Sequence, residues 1–201
     1  MSYRPHIRMS TAGQKSYEPV YPNLFEVRLI PPAALRSNES WKDVDLILQN
    51  VKTISGVGST DKSLNTVTQT FKGAKRTYTD GFVADSTAKI TLSFELNLND
   101  KNEIYVYNAL REWRNLCYNP LTGEMSPKKV YAGTGDDPAM LSTILYDKSD
   151  NVYMQRNFYL VFPTTEIKPI ETLEYDAKQI ATLSGITFVA DYFDDIINGM
   201  V

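Results

Sequence analysis

The sequence predicts a mainly β protein of the α+β class, an antiparallel β-sandwich or small barrel with one flanking amphipathic helix, extended loops and an N-terminal arm. Residues 87–98 alternate apolar and polar side chains without a break. Strand-forming runs recur along the chain, about seven in all, between Gly, Pro and Asn residues. Only one segment repeats apolar residues strongly at helical spacing, which limits the helical part to a single flanking element.

The composition predicts one well-filled domain. The chain has 201 residues, of which 42% are hydrophobic and 11% aromatic, with Tyr especially common at 13 copies. A chain of this length can bury a sizeable core, and its aromatic content favours strands. Residues 1–21 are poor in large aliphatic side chains, so we expect them to form an arm ahead of a single domain at 22–201.

Charge and residue counts exclude several function classes. The net charge of -3 supplies no global positive field for tight nucleic-acid binding. With Cys117 as the only cysteine and His6 as the only histidine, an intrachain disulfide, zinc-finger spacing and a histidine relay in the folded body are excluded. No signal-peptide core and no apolar run of about eighteen residues is present, so we expect a chain made and kept in a cytoplasm, with no membrane partner.

The N-terminal third predicts two strands. Residues 23–30 place alternate apolar side chains on one face, and Pro31 ends the pattern. A polar loop carrying Trp41 follows, and residues 44–55 form a second run of β-branched and aliphatic residues. Gly56 then punctuates the chain.

Residues 56–84 predict a protruding hairpin or long loop. A Thr-rich stretch at 64–71 leads to a basic tip with Lys72, Lys75 and Arg76, before a return run that begins at Thr77. The bland interpretation of the three cations is a charged tip that keeps a strand edge soluble. The alternative is contact with an acidic neighbour, which we favour over nucleic acid.

The central segment predicts a half-buried strand followed by the helix. Six apolar residues alternate through 87–98, and Asn99 or Asp100 can cap a helix at 99–118. Its apolar residues recur every three or four positions, and the core-packing candidates are Ile104, Tyr107, Leu110 and Trp113. Core or subunit-interface packing is a better account of the aromatic pair than a ligand platform.

The C-terminal third predicts an insertion, a hairpin and a last strand. Residues 119–139 are loop-like and rich in Pro, Gly and Lys. Runs at 140–147 and 152–162 form a hairpin that Pro163 ends. Residues 180–192 form the closing strand, with alternate apolar side chains.

Motifs for catalysis, cofactors and metals are weak. The Gly56-Val57-Gly58 and Gly133-Thr134-Gly135 segments complete no phosphate-binding fingerprint and predict turns. The acidic pairs at 136–137 and 194–195 lack further ligands and predict solvated surface. Cys117 has no base available and predicts core packing. We therefore expect no enzyme activity, no cofactor and no metal.

The order of elements carries a resemblance. Pro22-Asn23-Leu24-Phe25 opens the first strand, the alternating strand precedes the helix, and Phe162-Pro163-Thr164 and Phe188-Val189-Ala190-Asp191-Tyr192 come later. This order resembles the tail tube proteins of contractile-tailed bacteriophages. Their relatives form the Hcp-like inner tubes of type VI secretion and other contractile injection systems.

The resemblance implies a structural subunit. Hexameric rings would stack into a hollow tube inside a sheath, and wet strand faces would line a lumen that conducts genomic DNA without specific binding. The implied partners are further copies of the chain, the tail sheath, baseplate and terminator proteins, and the tape measure protein. The implied location is the virion tail, after synthesis in the host bacterial cytoplasm. Lys72, Lys75 and Arg76 then become candidates for contact with the adjacent ring.

Other interpretations remain open. The same fold can serve as the inner tube of a secretion or injection system. The arm, the Trp41 loop and the insertion at 119–139 depart from shorter family members and suit a specialised baseplate or terminator ring. A small-ligand β-barrel binding module that uses the many Tyr residues is the hypothesis from another class.

Overall fold

The computed structural model describes residues 23–42, 50–58, 64–83, 87–98, 104–147, 149–168 and 181–197. The arm at 1–21, the helix cap at Asn99 or Asp100 and residues 44–49 of the predicted second strand lie outside the described residues. The strands are β1 (Phe25–Ile30), β2 (Val51–Ser55), β3 (Leu64–Phe71), β4 (Ala74–Val83), β5 (Ala88–Glu95), β6 (Met140–Tyr146), β7 (Val152–Tyr159), β8 (Phe162–Pro163), β9 (Thr182–Ala190) and β10 (Tyr192–Ile197). The helices are α1 (Ala33–Arg36), α2 (Tyr105–Cys117) and α3 (Lys128–Tyr131), with one 3-10 turn at Glu39–Trp41.

Eight of the strands form two antiparallel sheets. Sheet I has the order β1-β6-β7-β10, and sheet II has the order β2-β5-β9-β8. Strands β3 and β4 make a separate two-stranded sheet. The described strands close no barrel, so the sandwich alternative of the predicted fold class is the one that the chain adopts.

The core is built from both sheets and α2. Alternation in β5 buries one face of that strand, and the paired positions of β9 extend this face. Burying a large apolar side chain stabilises the fold by roughly 1.5–3 kcal/mol. The largest fully buried side chains are Trp113, Phe94, Phe158, Phe188, Ile90, Leu92, Leu110, Leu141, Ile144, Ile186 and Val106.

The structure corrects several predicted boundaries. The alternation at 87–98 ends early, because β5 stops at Glu95 and Leu98 is 61% exposed. The helix begins at Tyr105, so Ile104 precedes it. The run at 152–162 divides at Leu160, which has a positive φ of 55°, and the chain then enters sheet II. Pro163 therefore pairs with β9 and ends no hairpin.

The closing strand is also two strands. A single residue, Asp191, separates β9 in sheet II from β10 in sheet I. The predicted inward positions Ile186, Phe188 and Ala190 are buried. Periodicity locates these residues correctly, whereas the change of sheet depends on pairing partners elsewhere in the chain.

Trp41 lies in the core. Its predicted polar loop forms α1 and the 3-10 turn, which place the indole against the ring of Trp113 with centroids 5.5 Å apart and planes at 81°. Trp41 is 2% exposed. The loop is therefore anchored to the helix by an edge-to-face aromatic contact.

Candidate assembly surfaces

The β3–β4 hairpin turns on two residues with positive φ, Lys72 at 42° and Gly73 at 86°. Phe71 and Ala74 pair directly across this turn. Two successive positive φ values are what a tight hairpin requires, and Gly reaches that conformation at no steric cost. A Cβ at Gly73 would meet no atom within 4 Å, so the turn projects into open space.

Where its side chains are described, the hairpin is open to solvent on both faces. Every side chain described at 66–70 and 72–79 is exposed. A two-stranded hairpin without a packed face is at best marginally stable in water. The described residues thus give this element no core of its own, which is the condition expected of a part that packs on a neighbour.

The three predicted cations do not form one cluster. Lys75 pairs with Thr70, and Arg76 pairs with Gln69 at the next position, so these two cations lie on opposite faces of the hairpin. Lys72 lies on the turn itself. Each of the three side chains is exposed. The positive charge therefore surrounds the tip of the hairpin.

An apolar pair on the Arg76 face was not predicted. Val67 lies directly opposite Tyr78, and the two side chains are 47% and 48% exposed. The other face carries a ladder of threonines, in which the hydroxyls of Thr68 and Thr77 are 3.2 Å apart. Counting outward from a turn placed at Lys72 and Gly73 would have brought Val67 and Tyr78 into register.

Sheet I offers two open edges. No described strand pairs with the outer side of β1 or of β10. Each of these strands has six residues, and because all neighbouring pairs in the sheet are antiparallel, β1 and β10 run in opposite directions. Strand β10 itself carries half-exposed apolar side chains, namely Tyr192 at 42%, Ile196 at 49% and Ile197 at 41%. Such edges are templates for pairing with another chain.

The edge strand β10 is held by a buried charge. The Arg156 guanidinium on β7 donates to both carboxylate oxygens of Asp195, with Nη2 2.6 Å from Oδ2. Side-chain exposure is 8% for Arg156 and 27% for Asp195. Arg156 also donates to the Val57 carbonyl at 2.5 Å and lies over the Phe193 ring at 4.7 Å. Of the acidic pair at 194–195, which the sequence predicts as solvated surface, Asp195 therefore has a structural role.

A second cluster lies on the opposite face of sheet I. Tyr146 donates to Glu26, and Arg28 donates to the other oxygen of Glu26 at 2.7 Å. The hydrogen bonds from Arg28 and Tyr146 lower the pKa of Glu26, and the bond to Glu26 raises the pKa of Tyr146. The carboxylate and the phenol thus keep opposite protonation states around neutral pH.

The predicted helix residues divide into two classes. Leu110 and Trp113 are fully buried, whereas Ile104 and Tyr107 are partly buried. Trp113 contacts the Phe188 ring of sheet II edge-to-face, with centroids 5.8 Å apart. The aromatic residues of α2 therefore differ in role, because Trp113 packs in the core and Tyr107 stands at its surface.

Part of the segment at 119–139 is attached to the helix. The Trp113 indole Nε1 donates to the Tyr131 carbonyl of α3 at 2.8 Å, and the Tyr131 ring packs edge-to-face on Phe162. Lys128 pairs with Asp191 at the crossing between sheets. In the other acidic pair, at 136–137, Asp137 accepts two hydrogen bonds from Arg36 and so also has a structural role.

The weak chemical motifs have structural roles. Burial raises the pKa of Cys117 to about 11, so the thiol stays protonated near neutral pH and is a poor nucleophile. Gly56 has φ 84°, and a Cβ there would lie 2.2 Å from the Lys89 carbonyl oxygen, so this position is a close backbone approach. Gly133 forms a bridge with Pro138. Both glycine segments are turns.

In the described ranges, no three His, Cys, Asp or Glu side chains gather in a way that could hold a metal ion. None of the helices in the same ranges has both the length and the apolar character needed to cross a bilayer.

Among the solved structures that resemble this fold are the following three. The anti-feeding prophage tube-terminating cap has a TM-score of 0.57 and 17% identity, over 94% of this chain and 99% of that chain. The sheath-tube complex of the PVC extracellular contractile injection system, in its extended state, gives a TM-score of 0.52 and 18% identity, over 89% and 92%. The PVC sheath/tube terminator gives 0.52 and 17%, over 90% and 99%.

These comparisons establish the fold. No protein-family model matches the chain, and no curated protein matches it. At identities below a fifth, the likeness concerns backbone architecture and carries no residue roles. The chain has a tail-tube-like fold, and the resemblance drawn from its order of elements is confirmed at that level.

Proposed function

We propose that the protein is a non-enzymatic, ring-forming structural subunit of a contractile tail, whose rings stack into the tube inside the sheath. The pair of open, oppositely directed edges of sheet I carries the proposal. The likeness to cap, tube and terminator structures of contractile injection systems supports it.

Strand parity makes ring closure straightforward. Sheet I has an even number of strands, so its two edge strands are antiparallel to each other. A rotation about a ring axis places β10 of one copy beside β1 of the next, and the antiparallel ladder continues across the contact. A closed ring pairs both open edges of sheet I in every copy, which protects this sheet from uncontrolled aggregation. We assign this ring six copies, as the family resemblance implies.

The β3–β4 hairpin then serves the contact between rings. Lys72, Lys75 and Arg76 surround the tip, and Val67 and Tyr78 supply an apolar face that the described residues leave open. Neighbouring subunits would cover that face and give the hairpin the core that it lacks. The arm at 1–21 and the segment at 119–139 are proposed as additional contacts of the single domain at 22–201.

The partners follow from the position in the tail. We propose sheath, baseplate and terminator proteins as neighbours, with the tape measure protein and genomic DNA in the lumen of a virion tail. The net charge of -3 suits a conduit for DNA. A protein without excess positive charge displaces few counterions from DNA and therefore binds its phosphates weakly. In an injection system the same lumen would carry effectors.

A tube-terminating ring is the second candidate. It is favoured by the likeness to the anti-feeding prophage cap and the PVC terminator, each of which aligns over 99% of its own length. A terminator forms one ring and stops, whereas a tube subunit continues to stack. The two candidates therefore differ in a property that purified protein can display.

Electron microscopy of the purified protein, with its mass measured by light scattering, tests the proposal. Six-fold tubes of variable length indicate a tube subunit, and single rings of one mass indicate a terminator. Ile196→Lys places a charge on the β10 edge, the means by which natural edge strands avoid pairing, and should abolish rings. Ser149→Lys, on the exposed turn between β6 and β7 and outside every proposed contact, is the matched control and should assemble normally.

Persistent monomer in the unaltered protein would contradict ring formation through sheet I. Rings that survive Ile196→Lys unchanged would show that assembly uses another surface. Circular dichroism of both variants distinguishes a blocked edge from a loss of fold.

A further inference from the structure

A cleft of about 520 Å³ runs along α2 from Tyr107 past the end of the helix, and it is separate from the edges of sheet I and from the hairpin. One wall comes from the helix and the residues just after it, and the other comes from the segment after β8. Its lining residues are Tyr107, Arg111, Arg114, Asn115, Tyr118, Pro120, Glu166, Ile167 and Lys168.

The side chains that line the cleft carry a net positive charge, whereas the chain as a whole is negatively charged. Among the described residues that line it, the cations Arg111, Arg114 and Lys168 outnumber the one carboxylate, Glu166, although the whole chain carries -3. The walls also hold two phenol rings. A local excess of this sign in a concave site attracts carboxylates or phosphates.

Both arginines are held by aromatic rings. The Arg111 guanidinium lies 5.9 Å from the centroid of Tyr107, and that of Arg114 lies 5.8 Å from the centroid of Tyr118. Neither arginine forms an ion pair with a carboxylate in the described part of the chain. Stacking over a ring restrains a guanidinium while its N–H groups remain able to donate to a planar, bidentate acceptor.

One donor on a residue that lines the cleft is buried and unsatisfied. Arg114 Nε is out of contact with solvent, and no acceptor for it lies among the described residues. Leaving a buried donor unpaired is destabilising, and more so when the group is charged. A ligand carboxylate that turned the guanidinium, so that Nε donated to it, would remove this cost.

An apolar loop continues the cleft. Tyr118 is 38% exposed, and beyond it lie Leu121 at 94% and Met125 at 77%. The loop is ordered by its own backbone, through the bridge between Tyr118 and Met125 and the bond from the Gly123 amide to the Asn119 carbonyl at 2.8 Å. Exposed Leu and Met side chains on a structured loop beside a cationic cleft are typical of a binding surface.

We infer that this cleft binds an acidic segment of another protein chain, one that combines carboxylates with a leucine-like side chain. The carboxylates would accept hydrogen bonds from Arg111 and Arg114, and the apolar side chain would pack on Leu121 and Met125. Nucleic acid suits the surface less well, because the apolar side chains of the loop make no favourable contact with phosphates and the negative net charge of the chain repels them. The inference does not depend on ring formation.

Fluorescence anisotropy tests the site with a defined probe, a fluorescein-labelled decapeptide of alternating glutamate and leucine. A glutamine and leucine decapeptide and a single-stranded DNA of equal charge are the ligand controls. Arg111→Gln should weaken binding of the acidic peptide about fivefold, and its combination with Arg114→Gln about tenfold or more. Lys129→Gln, an exposed charge outside the cleft, should leave it unchanged.

Several results would overturn the inference. They are no binding of the acidic peptide, equal binding of the glutamine peptide, tighter binding of DNA, or equal affinity of the double variant and the unaltered protein. Arg111 is exposed, so the single variant is expected to fold, and thermal unfolding verifies this. The assay uses unassembled subunits, so failure to form rings in microscopy would leave its result intact.

Discussion

A single guanidinium connects three segments that are far apart in the sequence. Arg156 on β7 contacts Asp195 of β10, the ring of Phe193 and the Val57 carbonyl of the loop after β2. Because Arg156 is nearly buried, each bond also offsets the cost of removing its charge from water. Removal of one partner therefore affects both the edge strand and the loop.

At the residue scale, Asp195→Asn should destabilise the protein. The change leaves the Arg156 charge without its carboxylate, and since Asp195 is 27% exposed, solvent reduces the cost to about 1–3 kcal/mol. Asp194→Asn is the control, because that exposed neighbour makes no contact with Arg156. Urea unfolding monitored by circular dichroism measures both, and equal midpoints for the two variants would refute the role of the pair.

At the element scale, the position of α2 depends on two tryptophans with different hydrogen bonding. Trp113 donates its indole N–H to the Tyr131 carbonyl of α3. The indole N–H of Trp41 is buried and meets no acceptor in the described ranges. The two rings pack against each other, so their apolar surroundings are shared.

This difference predicts unequal effects of the same substitution. Trp113→Phe leaves the Tyr131 carbonyl without a donor, whereas Trp41→Phe removes a donor that was already unsatisfied. We expect Trp113→Phe to cost about 1 kcal/mol more in unfolding free energy than Trp41→Phe. Denaturant titrations of the two variants decide the matter, and a larger cost at Trp41 would contradict it.

At the scale of the whole molecule, substitutions in the hairpin should affect assembly without affecting the folding of the subunit. Replacement of Lys72, Lys75 and Arg76 by Glu should reduce ring stacking while leaving the subunit folded, since all three side chains are exposed. Val67→Thr with Tyr78→Thr should do the same, because Thr suits a strand and removes the apolar face. Tube length in micrographs is the readout. Normal stacking of the Glu variant would exclude the inter-ring role of the cations.

The sequence alone predicts those features that depend on local pattern. Alternation locates the buried face of β5, and three-to-four spacing locates Leu110 and Trp113. Both sets of residues are buried, because one side of each element faces the core. Leu98 breaks the rule, since apolar spacing continues past the end of the strand and cannot mark where pairing stops.

The features that depend on distant partners could not be predicted in this way. Trp41 sits in a polar segment with no periodicity, and its burial comes from Trp113 across the fold. Arg156 and Asp195 meet only because β7 and β10 pair. The cationic cleft joins the helix to the segment after β8, so no single stretch of sequence contains it.

The short links between the sheets have a mechanical consequence. One residue joins β9 to β10 and two residues join β7 to β8, and the Asp191 amide at the first link bonds to the Tyr159 carbonyl beside the second at 3.1 Å. Two tethers at one corner resist sliding of the layers past each other. Separation of the two sheets at the opposite end is then the softer deformation. A force applied along β10 passes through one covalent link into β9, an inner strand of sheet II. We therefore expect the subunit to resist shear between its sheets.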